Sequence, residues 1–294
     1  MTHRERFIKT LKCEPIGGQV PTFELDFFLT MEALGRVQHN HMIFHQWDQM
    51  SASEKKLYIN YMADTYIAFG RKYGYSALFV QSSVADTERS RALLSAIREK
   101  SGDEFSLMMH GDPTYAIPDG DHMMDFSVQM YEEPQKLKDG TARFTEYLYN
   151  AVRTLDPDGS LLDGLPLCSD YCFNVNPFFS PEQFAEFVTP YLKQAIDGYR
   201  SLGKYTIKHT DGNIMPILDQ IAACKPDAIH SLDPQAGITI PAVRKAVGPD
   251  ICLVGNVNCG LLQTGTDEEV RADVLRSLRE GMANGRGYIF STSN

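Results

Sequence analysis

The sequence has no apolar run long enough to span a membrane, a single tryptophan and no CxxC pair among its 294 residues. A chain without about 18 consecutive apolar residues is not expected to cross a bilayer as a helix. Six cysteines scattered over this length are typical of free thiols rather than of a disulfide framework. Basic side chains are scarce, 28 against 38 acidic ones, and the net charge is −10. This balance argues against nucleic acid as a partner, because phosphate binding requires a basic face.

Several enzyme signatures are missing as well. The chain contains no GxGxxG, GxxxxGKS/T, GxSxG or HExxH motif. Their absence removes the usual support for dinucleotide binding, a P-loop, a serine hydrolase or a zinc peptidase. Residues 1–12 alternate charged and apolar side chains and lack the hydrophobic stretch of a signal peptide. We therefore expect a cytoplasmic protein that does not associate with membranes.

Short apolar segments alternate with longer helical patterns along most of the sequence. Several run without polar interruption, as parallel strands covered on both faces do. The predicted strands are Val20–Leu25, Ala77–Gln81, Phe105–Met109, Leu161–Leu165, Tyr205–His209, Ala228–His230, Ile251–Gly255 and Gly287–Ser291. The pattern predicts an α/β fold with one (β/α)8 TIM barrel domain over residues 1–294. Since Asn294 follows the eighth strand closely, we expect the barrel to lack its last helix, as in a truncated chain.

The clearest helix signal begins at Ser180. Ser180, Pro181 and Gln183 supply a helix cap, a proline in the first turn and the partner residue of a capping box. Apolar side chains then recur at helical spacing as far as Leu202. We predict a single helix over this segment, and the same capping pattern predicts another helix after Thr266.

Catalytic side chains of TIM barrels lie at the carboxyl ends of the strands. In this sequence those ends carry many side chains that bind metal or move protons, and we predict one functional site there. The predicted catalytic residues are Glu24, Asp170 and His230. The predicted substrate contacts are Asp26, Gln81, Tyr171 and Asn256. The predicted metal ligands are His209, Asp211 and Cys259.

The strongest chemical signal is the segment KHTDGN at residues 208–213. His209 and Asp211 are two residues apart, so both side chains point to the same side of an extended strand end. An imidazole and a carboxylate on one face can hold Zn²⁺ together with ligands from other strands. The alternative is structural: Asp211 caps the next helix, and His209 fills the mouth of the barrel.

Four other residues extend this site, each with a structural alternative. Cys259 is a third metal ligand, unless it is a small buried residue beside a glycine. Glu24 is a further ligand or a proton shuttle, unless it is a solvated charge. His230 is a general acid or another ligand, unless it belongs to the turn before Pro234. Asp170 orients a substrate, unless its carboxylate only accepts hydrogen bonds from nearby backbone amides.

A set of segments carries a family pattern in chain order: Arg4–Phe7, Asp170–Glu182, His209–Asn213, Gly255–Val257, Leu261-Leu262, Gly265-Thr266 and Gly287–Ile289. Together they resemble the uroporphyrinogen decarboxylase superfamily, which also contains cobalamin-dependent methyltransferases. The resemblance extends over residues 1–294 and is clearest from residue 160 onward. It implies a TIM barrel with a deep mouth at the carboxyl ends of its strands, and homodimers formed through that mouth.

True uroporphyrinogen decarboxylases carry an Arg-Gln-Ala-Gly-Arg stretch after the first strand and an essential Asp after the second. Here the residues at those places are ELDFF at 24–28 and QSS at 81–83. Carboxylates in place of cations would repel an octa-acid substrate. The resemblance therefore disfavours porphyrinogen decarboxylation, which we keep as the second hypothesis.

The methyltransferase branch matches better. Its members bind zinc through a His-x-Cys-Gly-Asn loop after the fifth strand, and the segment 209–213 has this form with Asp211 in place of Cys. The resemblance implies zinc held by His209 and Asp211, a corrinoid (cobalamin) protein as partner, and methyl transfer involving a small methylated substrate. An Asp ligand is harder than Cys, and this favours the demethylating type. A third hypothesis is a non-catalytic relative that binds a small molecule.

Overall fold

The computed structural model describes residues 1–25, 34–36 and 46–293. Within these ranges seven parallel strands form one sheet, whose order follows the chain. The strands are β1 (Ala77–Phe79), β2 (Ser106–Met108), β3 (Gly164–Cys168), β4 (Tyr205–Thr210), β5 (Ala228–Ser231), β6 (Cys252–Val257) and β7 (Tyr288–Thr292). Each strand pairs in parallel with the next one, and helices connect them. The predicted α/β barrel is therefore confirmed.

The extended segment 21–23 closes the barrel between its first and last strands. Thr22 forms a parallel bridge with Phe290 of β7, and the backbone of Phe290 exchanges two hydrogen bonds of 2.8 and 3.1 Å with the segment. On the other side, the Ser76 N–H donates to the Thr22 carbonyl over 2.9 Å, just before β1. The predicted first strand is thus a short closing segment that occupies the expected place.

Helices precede or follow each strand. They are α1 (His3–Leu11), α2 (Ala52–Tyr73), α3 (Thr87–Ser101), α4 (Met123–Glu132), α5 (Pro134–Leu155), α6 (Pro181–Phe187), α7 (Thr189–Ser201), α8 (Leu218–Ala223), α9 (Ile240–Val247), α10 (Cys259–Thr264) and α11 (Asp267–Gly281). Capping boxes start α1, α2, α6 and α11, which confirms the predicted helix starts after Ser180 and Thr266. None of the described helices combines the length and the apolarity that a membrane span requires.

The single helix predicted over 180–202 is wrong, because two helices, α6 and α7, occupy this segment. Val188 lies between them with φ −118° and ψ −56°. Pro190, in the first turn of α7, has no N–H to donate to the carbonyl four residues earlier, and its ring would clash there. Phe184 and Leu192 are both fully buried. The apolar stripe therefore continues across a break in the backbone.

The predicted strand Leu161–Leu165 is displaced by three residues, since β3 runs over Gly164–Cys168. The residues before β3 form a turn, in which the Asp156 carboxylate accepts two backbone N–H groups over 3.1 and 3.0 Å. Leu162 in this turn is buried as deeply as a strand residue, so the apolar pattern alone starts the strand too early. The observed bounds place Asp170 just beyond the end of β3.

Apolar side chains fill the barrel and the space beneath its helices. Leu165, Ile207, Val254 and Ile289, from four different strands, are fully buried in one continuous cluster. Burial of a side chain of this size stabilises the fold by roughly 1.5–3 kcal/mol. A second cluster, which includes Phe184, lies under the helices on the other side. Polar side chains at the carboxyl ends of β3, β4 and β5 contrast with this core and form the candidate site.

A candidate metal centre at the carboxyl ends of the strands

Three potential metal ligands meet at the carboxyl ends of β3 and β4. His209 lies in β4 and pairs in register with Cys168, the last residue of β3. Asp211 follows β4 directly, and Asp170 lies two residues beyond β3. One ligand atom from each of His209, Asp170 and Asp211 lies within 4.8 Å of the other two. The structure thus brings Asp170, predicted as a catalytic residue, together with His209 and Asp211, two of the three predicted metal ligands.

The distances within this group fit a shared cation. His209 Nε2 lies 3.5 Å from Asp170 Oδ1 and 3.9 Å from Asp211 Oδ2. These separations are long for hydrogen bonds. They suit atoms that share one ion, because two ligands about 2.0–2.2 Å from the same zinc lie roughly 3–4 Å apart. Three protein ligands around zinc leave a fourth position open, as in catalytic sites. The residues present therefore fit a zinc ion.

Hydrogen bonds fix the two carboxylates. Asp211 Oδ1 accepts the hydroxyl proton of Ser231, at the end of β5, over 2.5 Å. Asp170 Oδ1 accepts the Asp211 N–H over 3.1 Å. The Asp170 side chain is 50% exposed and that of Asp211 31%, whereas His209 is only 6% exposed. The group is therefore open to solvent on the side of Asp170 and closed behind His209.

The other face of His209 contacts a second histidine. The Nδ1 atoms of His209 and His230 lie 2.7 Å apart. His230 Nε2 lies 3.2 Å from the Thr292 carbonyl and 3.3 Å from Ser291 Oγ. Burial lowers the pKa of His209, which the nearby carboxylates oppose, and burial together with the neighbouring His209 lowers the pKa of His230 further. These shifts favour the neutral form of both imidazoles, which is the form that binds metal.

Glu24 anchors the end of β7 and is not part of the metal group found among the described residues. Its carboxylate accepts the Thr292 N–H over 2.9 Å, the Thr292 hydroxyl over 2.6 Å and the Ser291 hydroxyl over 3.2 Å. Burial raises the pKa of Glu24, and these hydrogen bonds oppose the shift. The side chain holds the two residues that contact His230, and its role as a proton shuttle stays a prediction.

The part of the chain that contains the candidate centre matches a known protein family. A family model described as uroporphyrinogen decarboxylase (URO-D) matches residues 113–294. The chain belongs to the URO-D family. The match includes the whole candidate centre, and the resemblance stated from the sequence is confirmed. No curated protein matches the chain.

One of three similar solved structures supports the barrel fold of this URO-D family member. A methyltransferase from Methanosarcina mazei is 16% identical, with a TM-score of 0.73 over 100% of this chain and 93% of that chain. A Xaa-Pro dipeptidase with bound methionine is 15% identical, with a TM-score of 0.40 over 82% and 58% of the two chains. A variant of NCR from Zymomonas mobilis is 11% identical, with a TM-score of 0.41 over 88% and 83%. The first likeness shows a shared fold and nothing more. The other two have TM-scores below 0.5 and support no conclusion.

Cys259 is not part of the metal group in this URO-D family member. It is the first residue of α10, after β6, and its N–H faces the Ser293 hydroxyl oxygen at 3.4 Å. In the sheet β6 is not a neighbour of β4, so Cys259 and His209 come from strands that do not pair with each other. The structure offers Asp170 as the third candidate ligand, and the role of Cys259 as a ligand stays a prediction.

The predicted substrate contacts fall into three cases. Asn256 and Tyr171 are fully buried: the amide of Asn256 donates to a backbone carbonyl over 2.9 Å, and the Tyr171 hydroxyl lies 2.6 Å from a threonine hydroxyl. Their polar groups thus have partners within the fold, and a role in substrate binding stays a prediction for both. Gln81 is half-buried, and its Oε1 has no hydrogen-bond partner among the described residues, so it stays a candidate. Asp26 lies outside the described residues.

Sequence reasoning missed the supports of this site, above all Lys208. Its ammonium group is fully buried and donates to Asp112 Oδ2 over 2.7 Å. It also donates to two backbone carbonyls just before Asp170, over 3.0 and 3.1 Å, and so positions that residue. The available signal was a lysine inside an apolar strand, because such a residue is buried only when it is paired. Ser231, which holds Asp211, gave no comparable signal.

Proposed function

We propose that this protein is a zinc-dependent methyltransferase or demethylase, which transfers a methyl group between a small methylated substrate and the corrinoid of a partner protein. The observation that carries the proposal is the meeting of His209 Nε2 with the carboxylates of Asp170 and Asp211. Membership of the URO-D family supports it. The methyltransferase from Methanosarcina mazei, which has a similar fold, supports it further.

The ligand set favours zinc over magnesium or calcium. Imidazole nitrogen is a typical ligand of zinc and other transition metals, whereas magnesium and calcium take oxygen ligands. When bound, zinc supplies a Lewis acid that polarises the substrate atom carrying the methyl group. Two carboxylate ligands are harder than thiolates and suit an ether oxygen or an amine nitrogen. We therefore favour demethylation of an ether or an amine over activation of a thiol.

The chain supplies an apolar rim beside the open side of the centre. Asp170 is half exposed, and the following side chains Phe173 and Val175 are 44% and 77% exposed, with Met215 at 41%. Asn213 ties the two loops together, since its N–H donates to the Phe173 carbonyl over 2.9 Å and its amide to the Val175 carbonyl over 2.8 Å. Such a rim fits the hydrocarbon part of a small methylated substrate.

Decarboxylation of uroporphyrinogen is the second candidate, because the matching family model carries that name. The charge of the site argues against it. A substrate with many carboxylates would meet the carboxylates of Asp170 and Asp211 at the opening, on a chain of net charge −10. The site therefore favours a neutral or cationic substrate.

The zinc content of the purified chain tests the metal centre. We expect about one zinc ion per wild-type chain and a zinc affinity at least about 100-fold lower in His209→Ala, because this variant removes the buried nitrogen ligand. His110→Ala, which changes a histidine outside the metal group, is the matched control and is expected to bind zinc normally. A well-folded wild-type chain that binds no zinc contradicts the proposal.

Methyl transfer is tested separately with the zinc-loaded chain, free cob(I)alamin and a panel of methyl ethers and methylamines. We expect methylcobalamin to form, followed by its absorbance, with at least one donor and not in His209→Ala. Zinc binding without methyl transfer from any donor would favour the non-catalytic relative. Release of carbon dioxide from uroporphyrinogen would favour the decarboxylase.

A further inference from the structure

The hydrogen bond between the two histidines has a direction that can be deduced. His209 Nδ1 and His230 Nδ1 lie 2.7 Å apart, and both side chains are buried. A hydrogen bond between two neutral imidazoles requires a proton on one nitrogen and a lone pair on the other. The partners of the two remaining nitrogens decide which histidine donates.

The far side of His230 faces acceptors. Its Nε2 lies 3.2 Å from the Thr292 carbonyl, which can only accept. It also lies 3.3 Å from Ser291 Oγ, whose own proton is donated to Glu24 over 3.2 Å. Glu24 further binds the N–H and the hydroxyl of Thr292 and so holds this carbonyl in place. The proton of His230 therefore lies on Nε2, and its Nδ1 carries a lone pair.

The tautomer of His209 follows from that of His230. Its Nδ1 must donate to the lone pair of His230 Nδ1, so the single proton of a neutral His209 is not on Nε2. The bare Nε2 then faces the oxygens of Asp170 and Asp211, at 3.5 and 3.9 Å. Three atoms with lone pairs converge on one point, an arrangement that a cation stabilises.

We propose that His230 is a positioning residue, which keeps the proton of His209 on Nδ1 and thereby presents Nε2 to a metal ion. An isolated neutral imidazole prefers its proton on Nε2, where it would block the ligand atom. The hydrogen bond made by the other nitrogen sets the tautomer of a metal-binding histidine. Glu24, through Thr292, orients His230 for this task. The inference rests on the proposed metal centre for its function, and its geometry stands without it.

The first test is the protonation pattern of the metal-free wild-type chain, read by NMR with nitrogen-15-labelled histidine at about pH 8, above the ordinary histidine pKa. Couplings between ring nitrogens and ring carbon protons distinguish a protonated nitrogen from a bare one. We expect His209 to be protonated on Nδ1 and His230 on Nε2. The variants His209→Asn and His230→Asn assign the two sets of signals. A proton on Nε2 of His209 overturns the proposal.

The second test is zinc affinity, measured by competition with a chromophoric chelator. His230→Phe keeps a ring but removes the acceptor, and we expect zinc affinity to fall about 10–100-fold. His230→Asn places an amide oxygen near the position of Nδ1, and we expect affinity within about threefold of wild type. His110→Phe makes the same substitution just beyond β2, outside the metal group, and is expected to change nothing.

The outcomes separate this inference from the proposed function. Equal affinity in wild type and His230→Phe overturns the inference, and so does an equal loss in His230→Phe and His230→Asn. If circular dichroism shows that His230→Phe does not fold, His230→Asn and the wild-type NMR pattern decide. A wild-type chain that binds no zinc contradicts the metal centre, whereas the NMR pattern is measured without metal.

Discussion

Charged residues gather at both ends of the barrel, and the two groups differ in how their hydrogen bonds are satisfied. At the amino ends of the strands, donors surround the carboxylate of Asp163, which is 6% exposed. Arg4 donates to it over 3.0 and 2.8 Å, Arg98 over 2.6 Å and the Leu107 N–H over 2.8 Å. At the carboxyl ends, three potential ligand atoms face one another instead. The carboxylate at the amino ends is surrounded by cationic donors, whereas at the carboxyl ends two carboxylates lie beside an imidazole in an arrangement that fits a cation.

This difference separates a structural role from a functional one. A buried carboxylate that receives several charged hydrogen bonds stabilises the packing around it. Asp170 and Asp211 each accept a hydrogen bond, but two carboxylates this close repel one another in the empty protein, and functional sites commonly carry such a cost. Substitutions at the two ends should therefore have opposite effects on stability, and the following predictions test this contrast.

The largest expected effect is at the amino ends. Asp163→Ala leaves the guanidinium groups of Arg4 and Arg98 without their shared partner in a mostly buried place. We expect the free energy of unfolding to fall by about 3–5 kcal/mol, as for a buried ion pair that loses one member. Urea denaturation followed by circular dichroism measures the loss.

The matched control is Asp103, which pairs with the same Arg4 but is 74% exposed. Asp103→Ala is expected to cost less than about 1 kcal/mol, because exposed ion pairs contribute little. Equal losses in the two variants would show that the amino-end group does not depend on the burial of its carboxylate, and the comparison between the two ends would then fail.

At the carboxyl ends the expected sign is reversed. Asp211→Asn keeps an oxygen to accept the Ser231 hydroxyl but removes a negative charge near Asp170. We expect the metal-free chain to be unchanged or more stable by up to about 1 kcal/mol, and zinc affinity to fall at least about 10-fold. Urea denaturation and chelator competition measure the two effects. Destabilisation as large as that of Asp163→Ala would make this group structural.

The fold is largely predictable from the sequence because parallel strands and capped helices leave local patterns. The errors arose where burial had another cause. Leu162 is apolar and buried in a turn held by Asp156, so its pattern resembles a strand. The stripe from Phe184 to Leu192 remains on one buried face although Pro190 interrupts the backbone. Periodicity reports which side chains are buried, and the backbone hydrogen bonds decide the element.

The candidate site is only partly predictable because its members come from separate strands. His209 and Asp211 are close in sequence, so their spacing was sufficient. Asp170 joins them because β3 is the neighbour of β4, whereas Cys259 follows β6, which is not. Which strand ends face one another depends on the order and stagger of the strands. A local motif contains neither the order nor the stagger of the strands. For the same reason the sequence does not predict the contact between His209 and His230.

The smallest expected effect is on the pH dependence of stability, and it tests the carboxyl-end group through the binding of one proton at His230. Burial and the neighbouring His209 hold the pKa of His230 well below its ordinary value. An unfolded histidine has a pKa of about 6.5, so just below this pH the unfolded chain binds a proton at His230 that the folded chain does not. Stability is therefore lost as the pH falls below about 6.5.

In His230→Asn the slope of unfolding free energy against pH should be smaller by up to about one proton. Urea denaturation of the metal-free chains across this range measures it, with the exposed His122→Asn as control. Parallel curves for wild type and His230→Asn would mean that the folded site accepts the proton, and that the carboxyl end is less closed behind His209 than its burial indicates.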